Sequence, residues 1–347
     1  MRGFRDRDFI QTNEGFFFCV VGAVHPPHRV ISYIKYVPSQ SGIWGSGGEK
    51  FHRILQKYTI PNLLETFSYL KQNFPHYLYY SPIDNITITA VPHQKIKKHF
   101  KPEQKLAQIR EALQLDSLQN KLIRFTQFLE QASGISKDMF GVTGSLLLGI
   151  HNPKFSDIDV TVYGLKNNWL LKDSLTKTSA GIPLKRLVGK ALEDWCDKKA
   201  KCYPLTPAEA LKLYERKWNL GFFEGTWVSI HPINLENEVT DKYGQKTNSP
   251  YGQVTITGVV CENTDSIFLP AIYEIKDVDI MEGPQQVKIT EVLSYESLYA
   301  SLAEKGETIQ VKGKLEKVEE KGSNRQHYRV LVGSAEGNGK EYIKLME

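Results

Sequence analysis

Two short patterns in the middle of this chain, Gly144-Ser145 and an Asp-x-Asp pair, lie between apolar runs. The runs at 140–143 and 158–163 are rich in apolar and β-branched residues and predict two strands. The glycine and serine after the first run predict a tight turn. Because successive side chains of a strand point to opposite faces, Asp157 and Asp159 are expected to project from one face with neighbouring carboxylates. The segment is therefore constrained to a strand, a turn and a second strand that carries two acids.

The two acids and the turn together predict a site for a divalent cation and a phosphate. Like charges this close repel unless a cation lies between them, and Mg²⁺, or Mn²⁺ in its place, takes oxygen ligands completed by substrate phosphates. Glycine allows the backbone to approach a phosphate, and N–H groups at a helix start point toward an anion. An Asp-x-Asp pair alone is weak evidence, since such pairs also occur at solvated strand ends. The Gly-Ser pair twelve residues upstream and the polar loop at 151–156 make it much stronger.

These residues resemble the signature of the DNA polymerase beta-like nucleotidyltransferase superfamily, in which Gly-Ser precedes Asp-x-Asp by a short gap. The resemblance covers residues 141–164 directly. Over the rest of its length the chain resembles an uncharacterised archaeal family of predicted nucleotidyltransferases. The segments that carry this second resemblance are residues 5–10, 25–27, 36–38 and 268–273.

The superfamily resemblance implies transfer of a nucleoside monophosphate from an NTP to an acceptor hydroxyl, with release of pyrophosphate and participation of two Mg²⁺ or Mn²⁺ ions. It also implies that Asp157 and Asp159 are catalytic metal ligands. Superfamily members normally add a third carboxylate on a neighbouring strand. In the matching segment of this chain, 225–233, Ser229 stands where an aspartate is expected.

Serine at position 229 supplies no negative ligand, so neighbouring groups become candidates for the missing role. His231 is expected on the same strand face as Ser229 and is the candidate catalytic proton acceptor or ligand, because neutral imidazole serves as either near pH 7. A hydrogen-bonded structural histidine is the alternative. Glu224, in the preceding turn, is a further candidate, with a solvated turn carboxylate as its alternative.

Candidate phosphate-binding residues lie in the Gly-Ser turn, in the loop before Asp157 and on a predicted helix at 184–196. Superfamily members often hold the triphosphate on a helix that follows the catalytic strand, whereas a solvated basic helix face is the alternative here. His151 and Lys154 in the loop could also reach a phosphate. The full set of nucleotide-binding candidates is Gly144, Ser145, Ser156, Lys185, Arg186 and Lys190.

A second histidine-containing segment lies near the N-terminus. His25 and His28 flank two prolines in a predicted rigid turn. A metal site there requires further ligands, and the sequence does not identify them.

Composition excludes several classes of protein. The chain is 41% hydrophobic and 24% charged, which is typical of a globular protein rather than a disordered one. It contains no apolar run long enough to span a bilayer and no apolar segment behind its first charged residues, so we expect a cytoplasmic protein with no membrane partner. Its four cysteines are too scattered for a disulfide framework or a zinc knuckle. The net charge of +5 permits contact with polyanions without requiring it.

The arrangement of predicted elements is that of an α+β protein with three domains. We predict a small α+β unit at 1–100 and a nucleotidyltransferase domain at 101–240, with a mixed sheet and flanking helices. We predict an OB-like β-barrel at 241–347, because strand-like runs there are interrupted by one predicted helix at 295–304.

Three functions remain open from sequence, in order of preference. The first is a metal-dependent nucleotidyltransferase with an NTP as donor and nucleic acid, for instance an RNA end or DNA, as acceptor. The second is a nucleotide- or nucleic-acid-binding protein that keeps the fold but, with Ser229 in place of the third carboxylate, has reduced catalysis. The third is a nucleotidyltransferase that modifies proteins or small molecules. The oligomeric state, the preferred NTP and the acceptor are left open.

Overall fold

The computed structural model describes residues 2–45, 48–177 and 183–346. In these ranges the protein has a mixed α+β fold with three β-sheets and seven α-helices, as the predicted fold class requires. No helix of the described chain has the length and apolar character needed to cross a membrane.

The elements follow one another along the chain in this order. The strands are β1 (Phe9–Thr12), β2 (Phe17–Val20), β3 (Arg29–Pro38), β4 (Phe51–Arg53), β5 (Leu78–Ser81), β6 (Ile86–Pro92), β7 (Ile96–Phe100), β8 (Phe140–Thr143), β9 (Ile158–Tyr163), β10 (Leu184–Lys185), β11 (Leu220–Phe223), β12 (Thr226–Ile233), β13 (Lys246–Glu262), β14 (Ala271–Glu282), β15 (Ile289–Ser294), β16 (Thr308–Glu320), β17 (Gln326–Val332) and β18 (Tyr342–Leu345). The α-helices are α1 (Ile60–Asn73), α2 (Pro102–Glu111), α3 (Ser117–Ser133), α4 (Gly144–Leu148), α5 (Leu165–Lys177), α6 (Lys190–Cys202) and α7 (Pro207–Glu215).

Contacts within the chain group its residues into two compact units. Unit 1 comprises Met1–Gln56, Thr89–Leu187 and Trp218–Thr240, and unit 2 comprises Lys57–Ile88, Val188–Lys217 and Asp241–Glu347. The predicted division at residue 100 falls inside unit 1. The division predicted at 240 coincides with the end of the last segment of unit 1.

Unit 1 contains an antiparallel sheet in which β1 lies between β2 and β7, while β3 pairs with β2, β4 and the end of β6. Its apolar side chains pack on α4 in one core cluster: Phe9, Phe17, Cys19, Tyr36, Phe51, Leu147 and Ile150. The N-terminal strands therefore hold the helix that follows the Gly-Ser turn.

The second sheet of unit 1 has the strand order β10-β11-β12-β9-β8. β9 is antiparallel to β8 and parallel to β12, so the Asp-x-Asp strand lies between them. On the helical side, α3 begins at a capping box formed by Asp116 and ends at Gly134, where φ is 70°. Glycine adopts this left-handed conformation readily, which is why it ends the helix here.

The helix predicted at 184–196 is wrong over residues 184–189. Leu184 and Lys185 instead form β10 and pair with Phe223 and Phe222 of β11. Helix α6 begins only at Lys190, after Gly189 with φ of 54°. Pairing with a distant strand overrides the local helical spacing here.

The third sheet lies in unit 2, and its pairings form a closed cycle of five strands. β13 pairs with both β14 and β16, β14 pairs with β15, and β17 pairs with β15 and β16. Only β15 and β17 are parallel, and β18 extends the sheet from β16.

The helix predicted at 295–304 is also wrong, because only Ser297–Tyr299 is helical and the turn is of the 3-10 type. The Tyr273 hydroxyl donates to the Tyr299 carbonyl at 2.5 Å and accepts from the Leu302 N–H at 2.8 Å. Ser301 has φ of 53°, which a regular α-helix does not allow. The Tyr273 hydroxyl therefore engages two backbone groups, the Tyr299 carbonyl and the Leu302 N–H, that an α-helix would pair within itself.

The same segment buries a carboxyl group. Glu296 is 8% exposed, and its Oε2 atom has no hydrogen-bond partner among the described residues. Burial, assisted by the charge of Glu341, raises the pKa of Glu296 from its usual 4.5 to about 8. The folded chain therefore holds this carboxyl protonated where the unfolded chain releases the proton.

We predict that Glu296→Gln flattens the pH dependence of stability. Between about pH 4.5 and pH 8 the folded protein binds one more proton at Glu296, so the free energy of unfolding falls as pH rises, at most by about 1.4 kcal/mol per pH unit. The neutral amide removes this fall. Urea unfolding at pH 5 and pH 8 measures the effect, with exposed Glu274→Gln as control; equal slopes for Glu296→Gln and wild type would contradict it.

Candidate functional site

The Gly-Ser turn is in direct contact with the second aspartate of the Asp-x-Asp pair. Thr143, the last residue of β8, pairs with Asp159 of β9. Gly144 follows with φ of 68°, and a Cβ atom there would lie 2.6 Å from the Asp159 Oδ2 atom. Only glycine satisfies both the left-handed backbone and the close carboxylate. The turn and the carboxylate thus form one local unit.

The two aspartates are electrostatically close neighbours. Asp157 is exposed directly before β9, and Asp159 is partly buried within that strand. The negative charge of Asp159 raises the pKa of Asp157 to about 6. Against the effect of burial, hydrogen bonding and the charges of His231 and Lys35 hold the pKa of Asp159 below its usual range. The pair therefore holds concentrated negative charge at neutral pH.

Ser229 and His231 of β12 both contact Asp159. Ser229 is the strand partner of Asp159, and its hydroxyl donates to Asp159 Oδ1. The His231 Nε2 atom lies 2.9 Å from the Ser229 hydroxyl oxygen and 3.5 Å from Asp159 Oδ1. Because the single hydroxyl proton points to the carboxylate, Nε2 is the donor in the bond to Ser229. This chain of hydrogen bonds fixes the orientation of Asp159.

The hydrogen bonds of His231 bear on its predicted role as proton acceptor. Its Nε2 atom donates to Ser229, so that nitrogen does not accept a proton here. Burial, with the charge of Arg7, lowers the pKa of the imidazole, which keeps it neutral near pH 7. In this geometry His231 positions Asp159 through Ser229.

Positive groups from the N-terminal sheet also reach the aspartates, and sequence reasoning missed them. Lys35 of β3 is only 6% exposed, and its ammonium nitrogen lies 5.4 Å from the centre of the Phe9 ring. Its charge lowers the pKa of both Asp157 and Asp159, and Arg53 of β4 acts on Asp157 in the same way. The signal available in sequence was the resemblance at 36–38, next to Lys35.

The segment at 5–10 also approaches the site. The Arg7 carbonyl accepts a hydrogen bond of 2.7 Å from the Thr143 hydroxyl, directly before the Gly-Ser turn. The Arg7 Nε atom lies 3.3 Å from an Asp6 carboxylate oxygen. The charges of both residues act on His231.

The loop residues predicted to bind phosphate serve local structure. The Ser156 hydroxyl accepts from the Asn152 N–H at 2.9 Å and closes the loop. His151 Nε2 lies 2.7 Å from an Asp116 carboxylate oxygen. Lys154 is exposed. Ser145, in the turn itself, is only 6% exposed.

The other predicted cations lie at the edge of the aspartate sheet or in unit 2. Lys185 lies on β10, which β11 and β12 separate from β9, and Arg186 follows it as an exposed residue. Lys190 belongs to unit 2, where its ammonium group lies 2.8 Å from an Asp194 carboxylate oxygen. The Glu224 carboxylate is paired with Arg124 at 2.6 Å.

The donor set fits an ion that arrives with substrate better than a resident one. Among the described residues, no three His, Cys, Asp or Glu side chains are grouped closely enough to hold a metal ion. Mg²⁺ is commonly bound by one or two carboxylates, with phosphate oxygens and water completing six ligands. Asp157 and Asp159 are two such carboxylates, next to the Gly144-Ser145 turn.

We predict that Gly144→Ala abolishes Mn²⁺ binding, whereas Gly149→Ala does not. Both glycines have left-handed backbones, with φ of 68° and 71°, so each variant loses about 1–2 kcal/mol of stability. Only the Cβ at Gly144 meets the Asp159 carboxylate, because nothing lies within 4 Å of a Cβ at Gly149. Calorimetry with MnCl₂ and thermal unfolding measure the two effects. Equal Mn²⁺ affinity in the two variants would contradict the contact.

We also predict that Ser229→Ala weakens Mn²⁺ binding by about tenfold, because it frees the orientation of Asp159. Ser229→Thr keeps the hydroxyl and should retain most of the affinity. If alanine binds as tightly as serine, the hydroxyl does not position the carboxylate.

Comparison with known proteins extends over the whole chain. No protein-family model matches it, and no solved structure matches it. It is 30% identical over 349 residues to the uncharacterized protein MJ1086 of Methanocaldococcus jannaschii, and the match covers 98% of each chain. A match of that extent spans both units and the aspartate site. The chain therefore belongs to the family of this Methanocaldococcus protein.

Proposed function

We propose that the protein is a metal-dependent nucleotidyltransferase that moves a nucleoside monophosphate from an NTP to an acceptor hydroxyl and releases pyrophosphate. The observation that carries the proposal is the contact between Gly144 and the Asp159 carboxylate, with Asp157 beside it. This contact sets a glycine turn against a carboxylate pair. A triphosphate and its cation need both.

Each residue of the site has a role in this proposal. Asp157 and Asp159 hold Mg²⁺ or Mn²⁺, and the ion, when bound, neutralises charge on the transferred phosphoryl group and orients it. Ser229 and His231 keep the Asp159 carboxylate in one orientation. The Ser145 hydroxyl binds a phosphate oxygen from the turn.

The positive charges beside the aspartates support the same substrate. Lys35 and Arg53 influence the carboxylates electrostatically, so a polyanion that enters the site meets positive as well as negative groups. Ammonium and guanidinium groups are the usual partners of phosphate oxygens. An NTP with its cation matches this mixture of charges better than a free metal ion does.

Nucleic acid is the acceptor that unit 2 favours. We infer that its closed cycle of five strands is an OB-like barrel, because β13 closes on β16 and β15 runs parallel to β17. Tyr251 is 48% exposed, and its ring centre lies 5.4 Å from that of Tyr328. Exposed aromatic rings on such a barrel stack on the bases of single strands. The acceptor we propose is therefore the end of an RNA or DNA strand.

A second function, nucleotide binding without transfer, has two specific observations in its favour. Ser229 takes the strand position beside Asp159 where the superfamily normally has a carboxylate. Lys35 brings a buried positive charge to the pair, which reduces the need for a cation. NTP binding without label transfer would select this function.

The test is turnover of labelled NTPs with MgCl₂ or MnCl₂ and with RNA, DNA or protein as acceptor. We predict that wild type releases pyrophosphate and labels a nucleic acid, and that Asp157→Asn and Asp159→Asn each lower the rate by about 100-fold or more, because each removes an ionised ligand. Asp173→Asn is the control, since this exposed residue of α5 pairs with Lys177 on the same helix. NTP that is neither bound nor consumed, or full turnover by both variants, would exclude the enzyme.

A further inference from the structure

Unit 1 contains a cavity of about 330 Å³, lined by the N-terminal segment, the loop at 23–29, His93 and the segment at 236–239. That volume is within the range of small-molecule sites. Four rings line it, from Phe4, His25, His28 and His93, together with the guanidinium groups of Arg5 and Arg29. We call it the histidine pocket.

The rings of the histidine pocket surround the cavity without stacking on one another. The centre of the Phe4 ring lies 6.3 Å from that of His25 and 6.0 Å from that of His93. The His28 and His93 rings are 6.4 Å apart and nearly perpendicular. Because His28 and His93 are exposed, their faces remain accessible to a planar ligand.

His25 contributes a buried polar atom to this pocket. Its Nδ1 atom accepts from the Ile31 N–H at 3.3 Å, so the ring proton is on Nε2. Nε2 is buried and has no hydrogen-bond partner among the described residues. Burial lowers the pKa of His25 to about 4, although the nearby Phe4 carbonyl opposes the shift, so the ring is neutral at pH 7. The neutral, largely buried ring is therefore part of the pocket wall beside the Phe4 carbonyl.

The charged groups of the pocket are of both signs. Arg5 is buried, donates to the Leu235 carbonyl at 3.4 Å and pairs with Glu236. Arg29 donates to the Ala90 carbonyl at 3.3 Å through one terminal nitrogen, Nη1. A ligand with a phosphate and a base edge that carries donors and acceptors matches this set. Among the described residues, no three possible metal ligands are grouped here.

The segment at 5–7 connects the histidine pocket to the aspartates. Arg5 lines the pocket, and the Arg7 carbonyl accepts from Thr143, directly before the Gly144 turn. A ligand bound in the histidine pocket would therefore contact the same segment that is hydrogen-bonded to Thr143, directly before the Gly144 turn.

We propose that the histidine pocket binds a nucleotide unit, with its base against Phe4, His28 and His93 and its phosphate at Arg29. The unit comes either from a free nucleotide or from the terminal part of an acceptor strand. The second source rests on the proposed function and makes the pocket its acceptor subsite.

The test measures binding to the full-length protein in EDTA, which silences the aspartate site. Calorimetry with AMP and UMP, and fluorescence anisotropy with a short labelled single-stranded RNA, give the two affinities. The double variant His28→Ala/His93→Ala is expected to bind about tenfold more weakly, as loss of base stacking predicts. Arg29→Gln is expected to weaken the binding of AMP more than the binding of adenosine, which has no phosphate. The matched control is His52→Ala, an exposed histidine of β4 outside the pocket.

The outcomes separate the two sources and the two proposals. Loss of RNA affinity with little AMP binding by wild type identifies a strand, and loss of AMP affinity alone identifies a free nucleotide. Unchanged affinity in the double variant for both probes, or no binding by wild type, overturns the inference. Mn²⁺-dependent NTP binding is measured separately in each variant. If wild type shows none, the proposed function is wrong, but nucleotide binding in the histidine pocket is unaffected by that result.

Discussion

The Asp159 carboxylate is the group on which the rest of the site depends. It is in van der Waals reach of the Gly144 turn on one side and accepts the Ser229 hydroxyl on the other. A charged group so enclosed is tolerable only with several partners, and the hydrogen bonds and nearby cations provide them. Asp157 is not enclosed in this way, and the negative charge of Asp159 raises its pKa. One aspartate is fixed by its partners, and the other is an exposed carboxylate that is ionised at neutral pH.

The two sheets of unit 1 explain how this geometry is maintained. Parallel pairing of β9 with β12 puts Ser229 beside Asp159, and antiparallel pairing of β9 with β8 places Thr143 on its other side. The core between the N-terminal strands and α4 buries Leu147 and Ile150, which holds the helix behind the turn. The N-terminal strands are thus part of the site, because they supply both this packing and the Lys35 charge.

Sequence reasoning located the parts of the site that are local in the chain. The turn at Gly144 and the strand with Asp159 follow from glycine content and apolar spacing over a few residues. Lys35 and Arg7 could not be found in this way, because sheet pairing brings them in from distant positions. The helical spacing after Leu184 and after Tyr295 misled for the same reason. Tertiary hydrogen bonds to β11 and to Tyr273 replace the helical ones there.

The decisive experiment is a crystal structure of the protein soaked with MnCl₂ and a non-hydrolysable NTP. We expect an anomalous peak about 2.1 Å from one oxygen of each of Asp157 and Asp159, with a phosphate oxygen as a further ligand beside Ser145. An ion or a triphosphate found elsewhere, with the two carboxylates empty at saturating manganese, would contradict it.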